Sequence, residues 1–463
     1  MSVKTPIPAA VVVPIRKRGE TFEVFWVKRA EDLSFQGGFW AFPGGRVEDT
    51  DHVGRPDELG ARVAAAAREL WEETGLRREA DLSGFKPLGK TVTPAWAPLR
   101  YDATYFLVEV SSEELPDVAH SAGELTHGEW IHPAEAMAAW TRGSRLASTI
   151  AMAVMSALIA GIDGVAERMS SILSTMGEGR IWDLVPGIMT SMLRSPTKLP
   201  ATHTNCYLIG AGELVIIDPG SPYPAELEAF EHALERLASQ GRRVREIWLT
   251  HHHEDHVSGA ARLSSHLGVP IAAHEATARL ITPSLAVSRF ISEGDVTTFE
   301  AQGQIPERRV RAVHTPGHAP GHLCFLEETT GFLVAGDMVA GIGTIVIDPW
   351  DGDMADYIAS LERMKTLDAQ ALLPAHGPVI TRPARKLDEY IRHRLWREDK
   401  IAQALAQKGE ATTVQLLPEA YDDVAPEVLG LAERSLVAHL GKLVREGRVR
   451  VLTENRYAWA GAG

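Results

Sequence analysis

The stretch Thr250-His-His-His-Glu-Asp-His256 (THHHEDH) decides the fold of the central part of this chain. It places His251, His253, Asp255 and His256 within six positions, directly after the apolar run Ile247-Trp248-Leu249. Such a run reads as a buried strand, so the polar cluster sits on the loop leaving a sheet edge, where a scaffold can aim side chains at one point. Imidazole and carboxylate are the donors that Zn²⁺ and similar first-row ions accept. His251 and His253, two residues apart, can reach one ion, while the Asp255-His256 pair turns toward a second. Further ligands are expected wherever a His or Asp follows another strand. Three places qualify: His318 after Val310–Val313, Asp337 after Gly331–Ala335, and His376 after Leu372–Pro374. A small residue at each allows a sharp turn. Five histidines and two aspartates on strand-end loops suffice for two ions sharing one carboxylate.

This pattern, spanning Asn205 to Gly377, resembles the metallo-β-lactamase superfamily, which implies an αββα sandwich with a dinuclear site at one sheet edge. By that resemblance His251, His253 and His318 hold one Zn²⁺, Asp255, His256 and His376 hold the other, and Asp337 bridges them. Asp218, in the turn Ile217-Asp218-Pro219-Gly220, corresponds to the aspartate that braces the histidine loop. His322 is expected to be structural and His252 to point away. Two cations lower the pKa of a shared water and polarise the scissile bond, with Asp255 and Asp337 the candidates to hold the nucleophile's remaining proton.

Upstream, Pro8–Pro14 and Glu23–Lys28 read as strands joined by a polar turn. Leu59, Val63, Ala67 and Leu70 then recur at helical spacing from about Asp57 to Glu73, with Gly75 as the stop. Glu69, Glu72 and Glu73 share one helix face and can converge on a cation, Mg²⁺ or Mn²⁺ suiting such hard oxygen donors. The spelling RELWEETGL from Arg68 to Leu76, with Pro43-Gly44-Gly45 before it, resembles the Nudix hydrolases. The resemblance implies that the three glutamates bind metal, that Glu73 is catalytic, that Arg68 orients them, and that the substrate is a diphosphate-linked compound, of coenzyme A type on the Trp-Ala-Phe-Pro-Gly-Gly lead-in. The sequence departs from the family at Asp51, which stands where the pattern has Glu and is separated from Arg68 by 16 residues instead of seven.

Downstream, Arg382–Arg397 (RPARKLDEYIRHRLWR) reads as an amphipathic helix with a basic outer side. A second helix around Leu436–Val444 and a hairpin from Arg448 to Ala460 suggest a winged helix. The order of these parts resembles the β-lactamase-like protein 2 branch, whose implied activity is zinc-dependent cleavage of single-stranded RNA. However, Ala319-Pro320-Gly321 after His318 is closer to glyoxalase-II-like thioesterases.

Size and composition set the outer bounds. A chain of 463 residues favours two to four domains, and a net charge of −14 argues against bulk attraction to nucleic acid or anionic lipid. Two cysteines, Cys206 and Cys324, lie in apolar runs and read as buried thiols. Met1–Ala10 lacks the features of an export signal, and Leu146–Ile162 reads as a packed Ala-rich helix, not a bilayer span. The expectation is thus a cytoplasmic α/β multidomain metal-dependent hydrolase that uses no membrane. It comprises a Nudix α/β/α domain (1–165), a linker (166–181), an αββα domain (182–383), and a basic helix with winged helix (384–463). The leading activity is phosphodiester hydrolysis on single-stranded RNA. The alternative is thioester hydrolysis with a non-catalytic, regulatory Nudix domain. For the tail, packing or homodimer formation competes with contact to a phosphate backbone.

Overall fold

The computed structural model describes residues 5–33, 36–55, 57–93, 99–175, 180–281 and 285–461. The chain divides into two compact units, Met1–Pro186 and Gly187–Gly463.

In the first unit, strands Ile7–Arg18 and Tyr101–Glu109 pair in parallel at the centre of a mixed sheet. Thr21–Arg29 and Lys86–Val92 flank them. The helix Glu58–Thr74 begins where the Asp57 carboxylate accepts from the Gly60 N–H at 2.7 Å, and ends at Gly75, whose φ of +72° few other residues adopt. Its Val63, Ala66 and Leu70 pack on Val12, Phe85 and Phe106 of the sheet side, as the 3.6-residue period requires.

The stretch expected to be a packed Ala-rich helix contains the helix Thr149–Ile159, capped by Ser148 and buried along Ala151–Met155. Among the described residues, no helix is long and apolar enough to cross a membrane. The expected linker, 166–181, is instead partly helical. Val165–Thr175 forms a helix because Val165 and Met169, four apart, both find a buried side, and Met169 reaches the Gly89 backbone of the sheet. Residues 176–179 of that stretch lie outside the described residues, as do residues 1–4 of the start examined for an export signal.

The second unit is built on two sheets. One runs in the order Arg289–Phe290, Ile271–Ala273, Arg243–Trp248, Glu213–Ile217, His203–Gly210, Ile188–Arg194. The other runs Val296–Phe299, Arg308–His314, Leu323–Glu327, Phe332–Gly336, Ala371–Pro374. Trp248 of the first packs its ring 5.0 Å from Phe325 and 6.2 Å from Phe299 of the second, so the sheets face each other. On the outer face of the second sheet, Val313, Leu326 and Leu333 pack against helix Met354–Lys365 through Tyr357 and Leu361. Cys206 and Cys324 are buried free thiols.

The helix Pro383–Lys408 is 26 residues long and serves two cores. Leu387, Tyr390 and Ile391 join the sandwich cluster. Ile401 and Leu405 join a second cluster with Leu436, Leu440 and Tyr457. That second cluster is the winged helix: helices Thr413–Ala420 and Leu429–Arg445 with strands Glu410–Thr412, Arg456–Trp459 and Val449–Thr453 in one small sheet. The expected basic outer side is only partly present. Arg394 and Arg397 are 4% and 3% exposed, because Arg394 donates to the Ile345 carbonyl and Arg397 clamps Asp423 at 2.6 and 2.8 Å. Those two guanidiniums are committed inside the protein and do not offer a phosphate-binding face.

Candidate metal centre

Strand Arg243–Trp248 delivers Thr250 and the histidine run to one edge of the sandwich, where the neighbouring turn of Asp218 receives them. Asp218 is 2% exposed with φ +54°. Its Oδ1 accepts from the Thr250 N–H at 2.7 Å, and its Oδ2 accepts from the Thr250 hydroxyl at 2.5 Å and from His256 Nδ1 at 2.8 Å. Gly220 in the same turn lies so close that a Cβ there would fall 1.6 Å from the Asp255 carbonyl oxygen. The turn and the ligand loop therefore pack backbone to backbone, which only glycine permits.

All five sequence-expected histidines converge, and each has its outward nitrogen committed to an acceptor. His251 Nδ1 meets the Thr250 hydroxyl at 2.9 Å, which is itself donating to Asp218. His253 Nε2 donates to Asp351 at 2.9 Å, and His256 Nδ1 to Asp218. His318 Nδ1 donates to the Val346 carbonyl at 3.1 Å, and His376 Nδ1 to the His203 carbonyl at 3.0 Å. With those protons directed outward, the inward nitrogen of each ring is the atom available to a cation.

The inward atoms form two groups. His251 Nε2, His253 Nδ1 and His318 Nε2 stand 3.0, 3.0 and 3.3 Å apart. Three lone pairs at that spacing repel unless a cation lies among them. Donors held tetrahedrally at about 2.0–2.1 Å from Zn²⁺ stand roughly 3.3–3.4 Å apart, so the spacing fits. The second group is Asp255, His256 and His376, with His376 Nε2 3.3 Å from Asp255 and His256 Nε2 3.8 Å from it. Asp337 stands between the groups. Its Oδ2 is 3.6 Å from His318 Nε2, while its Oδ1 is 3.4 Å from His376 and 3.6 Å from His256. Buried His256 Nε2 and Asp337 Oδ1 have no hydrogen-bond partner among the described residues. The donor set thus fits two cations.

The electrostatics divide the same way. Burial, reinforced by the neighbouring imidazoles, pushes His251 well down and His318 to about 3. His256 and His376 are also buried, yet the carboxylates of Asp218, Asp337 and Asp255 raise them. Burial works against charge on Asp255 and Asp337, but the surrounding histidines hold both below the ordinary carboxylate range. A cation at His256 would take the place of a proton.

His322 is buried and structural, as expected: its Nε2 accepts from the Asp337 N–H at 3.1 Å and its ring meets Thr315. His252 belongs to neither group; its Nε2 donates to Asp351 at 3.0 Å, beside that of His253. Asp351 was not expected. It sits in an irregular loop with no strand before it, so the strand-end rule passes over it. Thr197, whose hydroxyl lies 3.3 Å from His376 Nε2, follows the strand Ile188–Arg194 but is neither His nor Asp, the residue types sought at strand ends.

The first unit gives a different picture. Arg68 Nη1 holds Glu69 at 2.8 Å and Glu72 at 3.0 Å, while Glu73 turns inward to accept from the Gly44 N–H at 2.9 Å. Among the described residues, no group of three metal-donor atoms mutually within 4.8 Å forms in this unit. Sharing a helix face does not bring the three carboxylates to one point: a single Arg68 nitrogen gathers Glu69 and Glu72, while Glu73 is held apart on the Gly44 N–H. Burial, with Glu69 nearby, pushes Glu73 up to about 8. Asp51, the departure from the Nudix pattern, is buried and clamps Arg68 through both oxygens at 3.2 and 3.0 Å. The short turn Asp49–His52 presents that carboxylate to the arginine.

Comparison with known proteins agrees with this division. The metallo-beta-lactamase superfamily model matches residues 199–376, the NUDIX domain model residues 5–151, and the beta-lactamase associated winged helix domain model residues 412–459. The beta-lactamase-like protein 2 homolog of Caenorhabditis elegans is 30% identical over 273 residues, 58% of this chain and 87% of the relative. An atrochrysone carboxyl ACP thioesterase of Aspergillus chevalieri is 30% identical over 251 residues, 53% of this chain and 76% of the relative. The crystal structure of a beta-lactamase domain protein from Burkholderia ambifaria, 20% identical, shares the fold with a TM-score of 0.52 over 60% of this chain and 93% of its own. The chain belongs to the metallo-beta-lactamase superfamily, as a metal-dependent hydrolase whose sandwich carries the associated winged helix and is joined to a Nudix domain.

Proposed function

We propose that the sandwich is a dinuclear-zinc phosphodiesterase acting on single-stranded RNA. The observation that carries the two-cation part is Asp337, whose two oxygens face the two histidine groups separately. Zn²⁺ at both places would supply an activated water and a clamp on the attacking and leaving oxygens of a phosphodiester. Asp255 and Asp337 are placed to hold the proton that the attacking water retains. The RNA part rests on the likeness to beta-lactamase-like protein 2 and on the winged tail that accompanies it. Trp350, 86% exposed beside Asp351, supplies a ring on which a base could stack.

Thioester hydrolysis is the second reading. It is favoured by the thioesterase relative and by the uncharged Ala319-Pro320-Gly321 after His318. For the first unit we propose a Mg²⁺- or Mn²⁺-dependent diphosphatase in which Glu73 is the base and Glu69 and Glu72 complete the site once the cation draws them from Arg68. The protein is expected to act in the cytoplasm and to take up about two equivalents of Zn²⁺. Single-stranded RNA, a bis-aryl phosphodiester, an acyl thioester and coenzyme A should be assayed on the full chain and on Asp337→Ala. RNA cleavage unchanged by Asp337→Ala would refute the phosphodiesterase reading, whereas thioester cleavage alone would select the second.

A further inference from the structure

The segment from Ile345 to Asp353 belongs to no strand or helix, yet it holds two of the three histidines of the first metal group. The Val346 carbonyl accepts from His318 Nδ1 at 3.1 Å. Asp351 Oδ2 accepts from His253 Nε2 at 2.9 Å and from His252 Nε2 at 3.0 Å. The Asp353 N–H donates to the Gly317 carbonyl at 2.7 Å, directly before His318. Three arginines of the C-terminal region hold this segment in turn. Arg394, buried on the long helix, donates to the Ile345 carbonyl at 2.5 Å. Arg434 pairs with Asp348 at 2.9 Å, and Arg445 pairs with Asp353. Both of the latter lie on the helix Leu429–Arg445 of the winged helix. Ala438 between them packs into the sandwich core.

We propose that Asp351 is a positioning residue for the first metal group, and that Arg434 and Arg445 make the winged helix a brace for it. The reasoning is tautomeric. An anion on His253 Nε2 keeps the proton there and the Nδ1 lone pair facing His251 and His318. Without it, the imidazole is free to carry its proton on Nδ1 and to turn. His253 is the only member of the first group that is not fully buried, so packing alone restrains it least. The two arginines do not touch any ligand; they act by fixing where the aspartate stands. The winged helix thereby contributes to the chemistry of the sandwich without contacting substrate.

This inference rests on the metal-centre reading. Metal-free full-length protein should be titrated with Co²⁺ alone, following affinity and visible d–d absorption, with thermal midpoints of each metal-free variant as a folding control. Asp351→Ala is expected to weaken the first-group ion about 10–100-fold and to alter its absorption. Asp351→Asn, which keeps an acceptor oxygen, should recover part of the loss. The double variant Arg434→Gln/Arg445→Gln should weaken the same ion several-fold, and it carries the test if Asp351→Ala does not fold. Wild-type affinity and absorption in Asp351→Ala would overturn the role of Asp351; an unchanged double variant would overturn the brace. Wild-type protein that takes up no Co²⁺ would overturn the metal-centre reading and this inference with it.

Discussion

Replacing Asp218 with Asn tests whether tautomer control, not mere proximity, prepares the centre for metal. The side chain is isosteric, and Asn accepts the positive φ of +54° at this position, so the backbone turn should survive. What changes is one oxygen. With the amide oxygen kept toward the Thr250 N–H, the amide nitrogen faces His256 Nδ1, donor against donor across 2.8 Å. The imidazole relieves this by moving its proton to Nε2, the atom that otherwise points at Asp255 and Asp337. The second cation then loses a ligand lone pair, and its affinity should drop about 10–100-fold, or roughly 1.4–2.8 kcal/mol. The first cation should change little, because the Thr250 hydroxyl can still accept from His251. Titrating metal-free protein with Zn²⁺ against a chromophoric chelator separates the two events. Two equivalents bound at wild-type affinity, or both weakened equally, would refute the reasoning.

Three other outcomes are expected. Gly220→Ala places a Cβ 1.6 Å from the Asp255 carbonyl oxygen and should cost at least about 1–3 kcal/mol, read from the denaturant midpoint, and lower Zn²⁺ content. Glu73→Ala should abolish Mg²⁺-dependent diphosphate hydrolysis while leaving hydrolysis by the sandwich unchanged, assayed on one preparation. His439 is fully buried in the winged helix, and burial lowers its pKa although Glu398 opposes this. The unfolded chain therefore takes up a proton below the ordinary histidine value of about 6.5 that the fold refuses, so stability is complete above that pH and falls as the pH drops beneath it. Urea midpoints measured from pH 7.5 to 5 should show the decline, and His439→Asn should make it shallower, the buried His251 and His318 contributing the remainder.

The sandwich and its candidate ligand set were legible because each candidate follows an apolar strand: His318 follows Arg308–His314, Asp337 follows Phe332–Gly336, and His376 follows Ala371–Pro374. Period and punctuation sufficed there. Asp351 was not legible, since it lies 98 residues from His253 in a segment with no period. The helix Val165–Thr175 was hidden by its serines, which face outward and made the stretch look like a linker. The glutamates of the first unit show the opposite limit. Their spacing placed them on one helix correctly, but spacing cannot show that Arg68 holds two of them and the Gly44 N–H the third. The basic tail failed similarly: composition counts Arg394 and Arg397 as surface charge, while both are interior fasteners.

The candidate ligands of the centre come from both sheets, His251 to His256 from one and Asp337 and His376 from the other. A pair of ions there would act as a rivet through the sandwich, engaging only when the two layers are closed. Ion binding would then favour the closed form by mass action alone, growing with the logarithm of the free ion concentration. Scarcity of the metal would loosen the scaffold as well as silence its chemistry.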